Sequence, residues 1–276
     1  MLQLTQEQIN AFQKKILTWY ARNQRDLPWR KTRHPYNILI SEIMSQQTQI
    51  ARVIPKYEAW IYAFPTVSDV ANASTAEVLT RWSGLGYNRR ALYLQKAAQK
   101  IVSDFNGVFP DDEKILQTLP GIGEYTASAI ACFAFDKQIV VIDTNIRKVV
   151  LTQFLVDSEE VGGKNEMKLV KEIATQFLPI GRAYEWNQAL MDYAGSVLKK
   201  EKISIPKQST FKDSDRYYRG QILKLLIEKQ QTTYSELHDY FNKKEQIINQ
   251  ERLKHVIAGL EKDSLVKKNK EKIEFA

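Results

Sequence analysis

The chain has 276 residues, 43% of them hydrophobic with only 11 Gly and 8 Pro, which is enough apolar mass for two domains and argues against disorder. Its 40 Lys and Arg against 32 Asp and Glu leave a formal charge of +8, which favours a polyanionic partner, although charge speaks to association rather than to fold. The single Cys132, within Ala129-Ile130-Ala131-Cys132-Phe133, excludes an intrachain disulfide and any multi-cysteine zinc or iron–sulfur site, and is read as a small core residue.

No run reaches the roughly 18 apolar residues of a membrane span, and Met1-Leu2-Gln3-Leu4-Thr5-Gln6-Glu7 lacks the plan of a signal peptide. A cytoplasmic protein that meets no membrane is expected.

Helical spacing dominates the first two hundred residues. Ile9, Phe12, Ile16, Leu17 and Tyr20 recur at steps of three and four behind Thr5, which stands ahead of Gln8 as a start signal. After a break at Asp26-Leu27-Pro28-Trp29, the same spacing returns with Ile38, Ile43 and Met44. Phe64-Pro65 interrupts again, and Thr66-Val67-Ser68-Asp69 and Ser74-Thr75-Ala76-Glu77 open two further helices, the second as a capping box. Breaks follow at Gly84-Leu85-Gly86, Asn106-Gly107, Pro120 and Gly162-Gly163. Only Gln138 to Ile142 looks strand-like, and it is too isolated to support a sheet.

Composition shifts in the polar stretch from Lys199 to Asp215, where Pro206 also falls. The expected organisation is a mostly α domain over 1–198, a linker over 199–214 and a small domain over 215–276. In the last, helices are expected over Tyr218 to Lys229, Thr233 to Phe241 and Asn249 to Lys262, and Leu265 to Phe275 alternates about an Asn-Lys turn as a hairpin would. Three helices and a hairpin read as a winged helix-turn-helix, or as a packing module that touches no nucleic acid.

The chemistry concentrates between Leu119 and Arg147 and in the stretch around Glu42. Leu119-Pro120-Gly121-Ile122-Gly123 lets the backbone turn tightly and present bare N–H groups at a helix start, a site for an anion such as phosphate. Glu42 lies among Leu39, Ile40, Ile43 and Met44, where desolvation would raise its pKa and keep a proton for general-acid work. A glutamate on a solvated helix face is the other reading. Ser45-Gln46-Gln47-Thr48-Gln49 follows with uncharged donors and acceptors of the kind that read base edges.

Asp143 emerges from Val140-Val141-Ile142 and would cap the helix after Thr144-Asn145. Capping and catalysis are compatible, because a carboxylate held at a helix N-terminus stays ionised and can face a developing cation. One carboxyl tuned to donate and one kept anionic cleave glycosidic bonds through an oxocarbenium-like state, and the N-glycosidic bond of a nucleotide fits the same logic. A duplex hides that bond, so the base must be flipped out and its gap filled. Leu85-Gly86-Tyr87-Asn88-Arg89-Arg90 offers an apolar tip, an aromatic platform and two cations for phosphates, or else is an ordinary turn.

These residues resemble the helix-hairpin-helix DNA glycosylases, most closely the MutY-type adenine glycosylases in a short form without the cluster. The resemblance covers about Leu27 to Ala194 and is carried in order by Leu27-Pro28-Trp29-Arg30, Ser41 to Gln49, Gly84-Leu85-Gly86-Tyr87, Leu119 to Gly123, Asp143-Thr144-Asn145 and Trp186-Asn187-Gln188-Ala189-Leu190-Met191-Asp192. It implies a two-lobed α fold and excision of adenine mispaired with 8-oxoguanine or guanine. It also implies a monomer whose partner is double-stranded DNA carrying a mismatched or oxidised pair.

In that scheme Glu42 protonates the flipped adenine, Asp143 stabilises the sugar cation and Asn145 orients the catalytic acid. Arg30 and Gln188 contact the adenine, while Gln47, Thr48, Leu85 and Tyr87 probe or wedge the opposing strand. The amides of Gly121 and Gly123, with Arg89 and Arg90, hold the DNA backbone, and the hairpin carbonyls could carry a monovalent cation. Tyr125 stands where related bifunctional enzymes place a lysine, so lyase chemistry is expected to be weak or absent. The family's four-cysteine loop would begin near Leu198, yet Leu198 to Ser204 contains no cysteine, which implies that the iron–sulfur cluster is missing and that no other cofactor is needed. The C-terminal region is too short for the usual Nudix-like domain and is similar to short members with a winged-helix-like tail. A same-fold glycosylase for thymine in T:G pairs and a non-catalytic DNA-binding protein are the alternatives.

Overall fold

Thr5 and Gln8 close the first helix reciprocally: Gln8 N donates to Thr5 Oγ1 at 3.2 Å, and Thr5 N donates to the Gln8 carboxamide at 2.9 Å. Helix α1 (Gln6–Asn23) therefore starts where its sequence places it. The computed structural model describes residues 3–155, 161–201, 210–243 and 248–276. After α1 come a 3₁₀ turn at Pro28–Lys31, α2 (Pro35–Ser45), α3 (Ile50–Ala63), α4 (Val67–Asn72), α5 (Thr75–Trp82) and α6 (Arg89–Phe105). The middle of the chain forms α7 (Glu113–Leu116), α8 (Glu124–Phe135), α9 (Thr144–Phe154), α10 (Glu166–Gln176) and α11 (Ala183–Ser196). The last part forms α12 (Asp215–Lys229), β1 (Gln231–Thr233), α13 (Tyr234–Lys243), α14 (Gln250–Lys262), β2 (Val266–Asn269) and β3 (Lys272–Phe275). Capping boxes also open α4, through Thr66 and Asp69, and α5, through Ser74 and Glu77. The chain is mostly α with a small C-terminal sheet.

One compact unit joins Met1–Glu42, Phe109–Thr118 and Ile122–Pro206. Within it α11 packs against α1, α8 and α9, and α9 packs against α10. Phe12 meets Phe154, Phe177 and Trp186 edge-on with ring centroids 5.0, 5.1 and 5.8 Å apart. Burying each such ring contributes about 1.5–3 kcal/mol and fixes the face of α11 that carries Gln188 and Asp192. Cys132 is buried on α8, as its apolar neighbours foretell, and burial pushes its thiol up to about 12.

The strand-like run Gln138 to Ile142 forms no strand. One side-chain amide takes the place of a ladder partner: Asn187 Oδ1 accepts from Val141 N at 2.9 Å, and its Nδ2 donates to Ile139 O at 2.9 Å.

The second unit joins Ile43–Val108, Leu119–Gly121 and Lys207–Ala276. Its helices α4 and α5 pack on α6, with Trp60 and Trp82 edge-on at 5.8 Å, and α12 packs against α5. The expected C-terminal helices form as α12, α13 and α14, and the expected hairpin as β2 and β3 with Lys270 left-handed at its turn. β1 adds a third strand beside β3, giving the antiparallel order β1-β3-β2, and at three residues it is too short to leave a periodic signal. The linker expected over 199–214 lies in part, at 202–209, outside the described residues. Among the described residues no helix is long and apolar enough to cross a membrane.

Candidate active site

Helix α2 owes its position to its apolar residues: Ile38, Leu39, Ile40, Ile43 and Met44 are all buried. Glu42 on the same helix keeps part of its surface accessible, so its carboxyl stands in apolar surroundings yet can be reached. Tyr125, from the first turn of α8, donates its hydroxyl to Glu42 Oε2 at 2.6 Å. Burial pushes the Glu42 carboxyl up to about 7; the Tyr125 bond pulls it down, and the charge of Asp143 pushes it further up. Burial also holds the Tyr125 phenol well above its ordinary range, so it remains a donor.

Asp143 caps α9: its Oδ1 accepts from Ile146 N at 2.7 Å, and its Oδ2 accepts from the Asn145 amide at 2.6 Å. The cap alone predicts a depressed pKa. The structure gives a raised one, because burial outweighs the bonds from Ile146 and Asn145. Asp143 accepts two hydrogen bonds where Glu42 accepts one, which favours its ionised form.

Arg30 reaches this site from the 3₁₀ turn and pairs in a fork with Asp192 of α11, both bonds 2.8 Å long. Burial alone would raise the Asp192 carboxyl, but Arg30, together with the backbone N–H and charge of Arg25, holds it below its usual range. The buried Arg30 Nε has no partner. Gln188 is buried on α11 one residue from Asn187. Glu42 with Tyr125 and Asp143 with Asn145 thus form two hydrogen-bonded pairs coupled through the charges of the two acids, with Arg30 close enough for its charge to act on Glu42.

The expected strand-probing residues lie in the second unit. Gln47 and Tyr87 are exposed and adopt left-handed backbone, at φ 52° and 46°, an uncommon conformation that clusters at functional sites. Leu85, expected as an apolar tip, is buried at 5% exposure. Arg90, expected on phosphate, is engaged on two sides within its own unit. Its guanidinium donates to Ile43 O at 2.7 Å and Gln46 O at 2.6 Å at the C-terminus of α2, and to Thr48 Oγ1, Leu85 O and Gly86 O at 3.2 Å each. Burial lowers its pKa to about 10. Arg89 stays at the surface, donating to Tyr93 Oη at 2.6 Å.

Gly121 is left-handed at φ 76°, and a Cβ there would sit 2.6 Å from Tyr93 Cβ, so the hairpin admits only glycine. Gly123 is the N-cap of α8 without a side-chain cap, which leaves the first-turn amides of α8 without one partner that a cap would supply. Among the described residues no cluster of three or more His, Cys, Asp or Glu is arranged to hold a metal. Sequence reasoning missed Asn187 and Asp192 as supports; both stand in the quoted motif Trp186 to Asp192, and their being polar between the apolar Trp186, Ala189, Leu190, Met191 and Tyr193 was the available signal.

The family model described as "HhH-GPD superfamily base excision DNA repair protein" matches residues 40–178. The chain is 52% identical over 136 residues to the adenine DNA glycosylase of Mycobacterium tuberculosis, covering 49% of this chain and 45% of that protein. It is 41% identical over 184 residues to the adenine DNA glycosylase of Mycolicibacterium smegmatis, covering 66% and 62%. A solved structure of a thermostable thymine-DNA glycosylase is similar with a TM-score of 0.65 and 31% identity, covering 71% of this chain and 89% of that one. The chain spans less than two thirds of the length of these curated relatives.

Proposed function

Because the chain belongs to the HhH-GPD superfamily of base excision DNA repair proteins, we propose that it is a DNA N-glycosylase that removes adenine mispaired with 8-oxoguanine or guanine. The observation that carries this reading is Glu42: a carboxyl raised to about 7, bonded to Tyr125 and charge-coupled to the capped Asp143. The similarity to adenine DNA glycosylases supports adenine as the base.

Glu42 gives its proton to a ring nitrogen of the flipped adenine, the C1′–N9 bond breaks, and its electron pair leaves with the base. The cation left at C1′ faces the Asp143 carboxylate, which Asn145 and Ile146 N hold in place. Water then adds to C1′ and gives its proton to the Glu42 carboxylate, which restores the acid. Arg30 Nε, buried and without a partner, is suited to an acceptor on the base, and Gln188 to its amide-like edge. Gln47, Thr48 and Tyr87 act on the opposing strand, and the Gly121 to Gly123 turn on backbone phosphate, while the buried Leu85 supports the loop from within. Tyr125 is a phenol engaged with Glu42 rather than an amine, so no Schiff base forms and the abasic product stays uncut.

The similarity to a thymine-DNA glycosylase structure favours a second reading, removal of thymine from T:G pairs. Single-turnover base release separates them, using duplexes with A opposite 8-oxoguanine, A opposite G, T opposite G and A opposite T, with alkali added afterwards. Adenine release from the first two, with strand cleavage only after alkali, is the expected result. Thymine release would establish the second reading, and no release from any duplex would sink both.

A further inference from the structure

The stretch Gln138 to Ile142 runs directly into Asp143, and two side-chain amides hold it where a strand would have had a neighbour. At its outer end the Gln138 carboxamide bridges the loop before α11, donating to Pro179 O at 2.8 Å and accepting from Gly181 N at 3.1 Å. At its inner end the fully buried Asn187 accepts from Val141 N and donates to Ile139 O. Its Nδ2 also donates to Ala183 O, one turn back on α11, at 2.8 Å.

A buried carboxamide is unfavourable unless its donors and acceptor are met, and packing alone would be served by Leu, which has a similar volume. What Asn187 adds is a grip on two backbone groups, the nearer of them two residues from the Asp143 carboxylate. The bond back to Ala183 fixes the amide in the frame of its own helix, so the stretch is referenced to α11. Ile146 N and Asn145 orient the Asp143 carboxylate on α9, but those bonds are local and do not set where the start of α9 stands relative to Glu42. α11 packs against both α9 and α8, and α8 carries the Tyr125 that donates to Glu42. Through α11 the two acids therefore share one frame.

We propose that Asn187 is a positioning residue of the active site: by clamping Ile139 and Val141 to α11, it fixes where the Asp143 carboxylate stands relative to Glu42 and Tyr125. This rests on the glycosylase reading for what the two acids do, and not for how they are held.

The test follows the Glu42 carboxyl by carbon-13 NMR titration of the glutamate-labelled full chain, in wild type, Asn187→Leu and Gln138→Ala, beside single-turnover adenine release from a duplex with A opposite 8-oxoguanine. Tyr125, Asp143 and Arg30 act on Glu42, and of these only Asp143 adjoins the clamped stretch. Its charge pushes the Glu42 carboxyl up, so an Asp143 freed from the clamp and reached by water acts on it less. Asn187→Leu should lower the Glu42 midpoint by about half a pH unit and slow release by about 10- to 100-fold, at duplex affinity within a few-fold of wild type. Gln138→Ala, which loosens the stretch at its far end, should lower the melting temperature and move neither readout. Should Asn187→Leu fail to fold, deuterium exchange in the wild type decides: the clamped Val141 amide should exchange as slowly as those of the buried Val149 and Val150 in α9. Exchange of the Val141 amide at the rate of an open loop, an unmoved Glu42 midpoint in a folded Asn187→Leu, undiminished release by that variant, or an equal shift in Gln138→Ala would each overturn the proposal. A midpoint that falls in Asn187→Leu while the wild type releases no base would uphold the clamp and sink the glycosylase reading.

Discussion

Glu42 is an acid at neutral pH because water has been taken from it, and the same desolvation has a cost in stability. Its folded pKa of about 7 lies above the unfolded value near 4.3, so between those values the folded state holds a proton that the unfolded state has lost. Stability from this group therefore falls as pH rises from about 4.5 to 7 and is lowest above it. Glu42→Gln should accordingly melt higher than wild type at pH 8, by at most about 3 kcal/mol given the partial access of water, and match it near pH 4. Equal melting at both pH values would contradict the raised pKa. This desolvation was legible in Leu39, Ile40, Ile43 and Met44, which flank the acid in sequence. The dependence of Arg30 on Asp192 was not, because the partners stand 162 residues apart and only folding of the unit joins them.

Two helix ends do the positioning. At the start of α9 Asp143 caps the helix and is the proposed catalytic anion, and Asn caps about as well as Asp. Asp143→Asn should therefore lower single-turnover excision by several orders of magnitude while changing stability by less than about 1 kcal/mol in chemical denaturation. A collapse of stability would mean that the carboxylate is a structural cap only. At the end of α2 Arg90 ties the carbonyls of Ile43 and Gln46 to those of Leu85 and Gly86, and so joins the Gln47 segment to the Tyr87 loop. Lysine lacks the planar fork and leaves several carbonyls bare, so Arg90→Lys should cost roughly 2–4 kcal/mol in urea unfolding. A neutral substitution would return Arg90 to the phosphate role that its sequence suggested. The caps at Thr5, Thr66, Ser74 and Asp143 were legible because capping is local. The Arg90 clamp was not, since an arginine beside glycine, tyrosine and another arginine reads equally well as a surface cation.

The six motifs lie in the sequence in an order that could be read directly, whereas the division of the chain into two discontinuous units could not. Hydrophobic spacing reports which face of a helix is buried and says nothing of which distant segment buries it. Lys207–Ala276 shares a unit with Ile43–Val108, and α12 packs on α5, so the C-terminal segment supports the loop that carries Tyr87. Removing residues 215–276 should weaken duplex affinity and 8-oxoguanine preference more than the chemical step, measured as binding and single-turnover rates side by side. Unchanged affinity and preference would show that the segment reads no DNA. The most direct test of Glu42 as the general acid is the pH profile of single-turnover adenine release from a duplex with A opposite 8-oxoguanine, for wild type and Glu42→Gln. The wild-type rate should fall about tenfold per pH unit once pH exceeds about 7, with no measurable release by Glu42→Gln at duplex affinity within a few-fold of wild type. Release by Glu42→Gln comparable to wild type, or a wild-type profile flat through pH 7 to 9, would contradict that role.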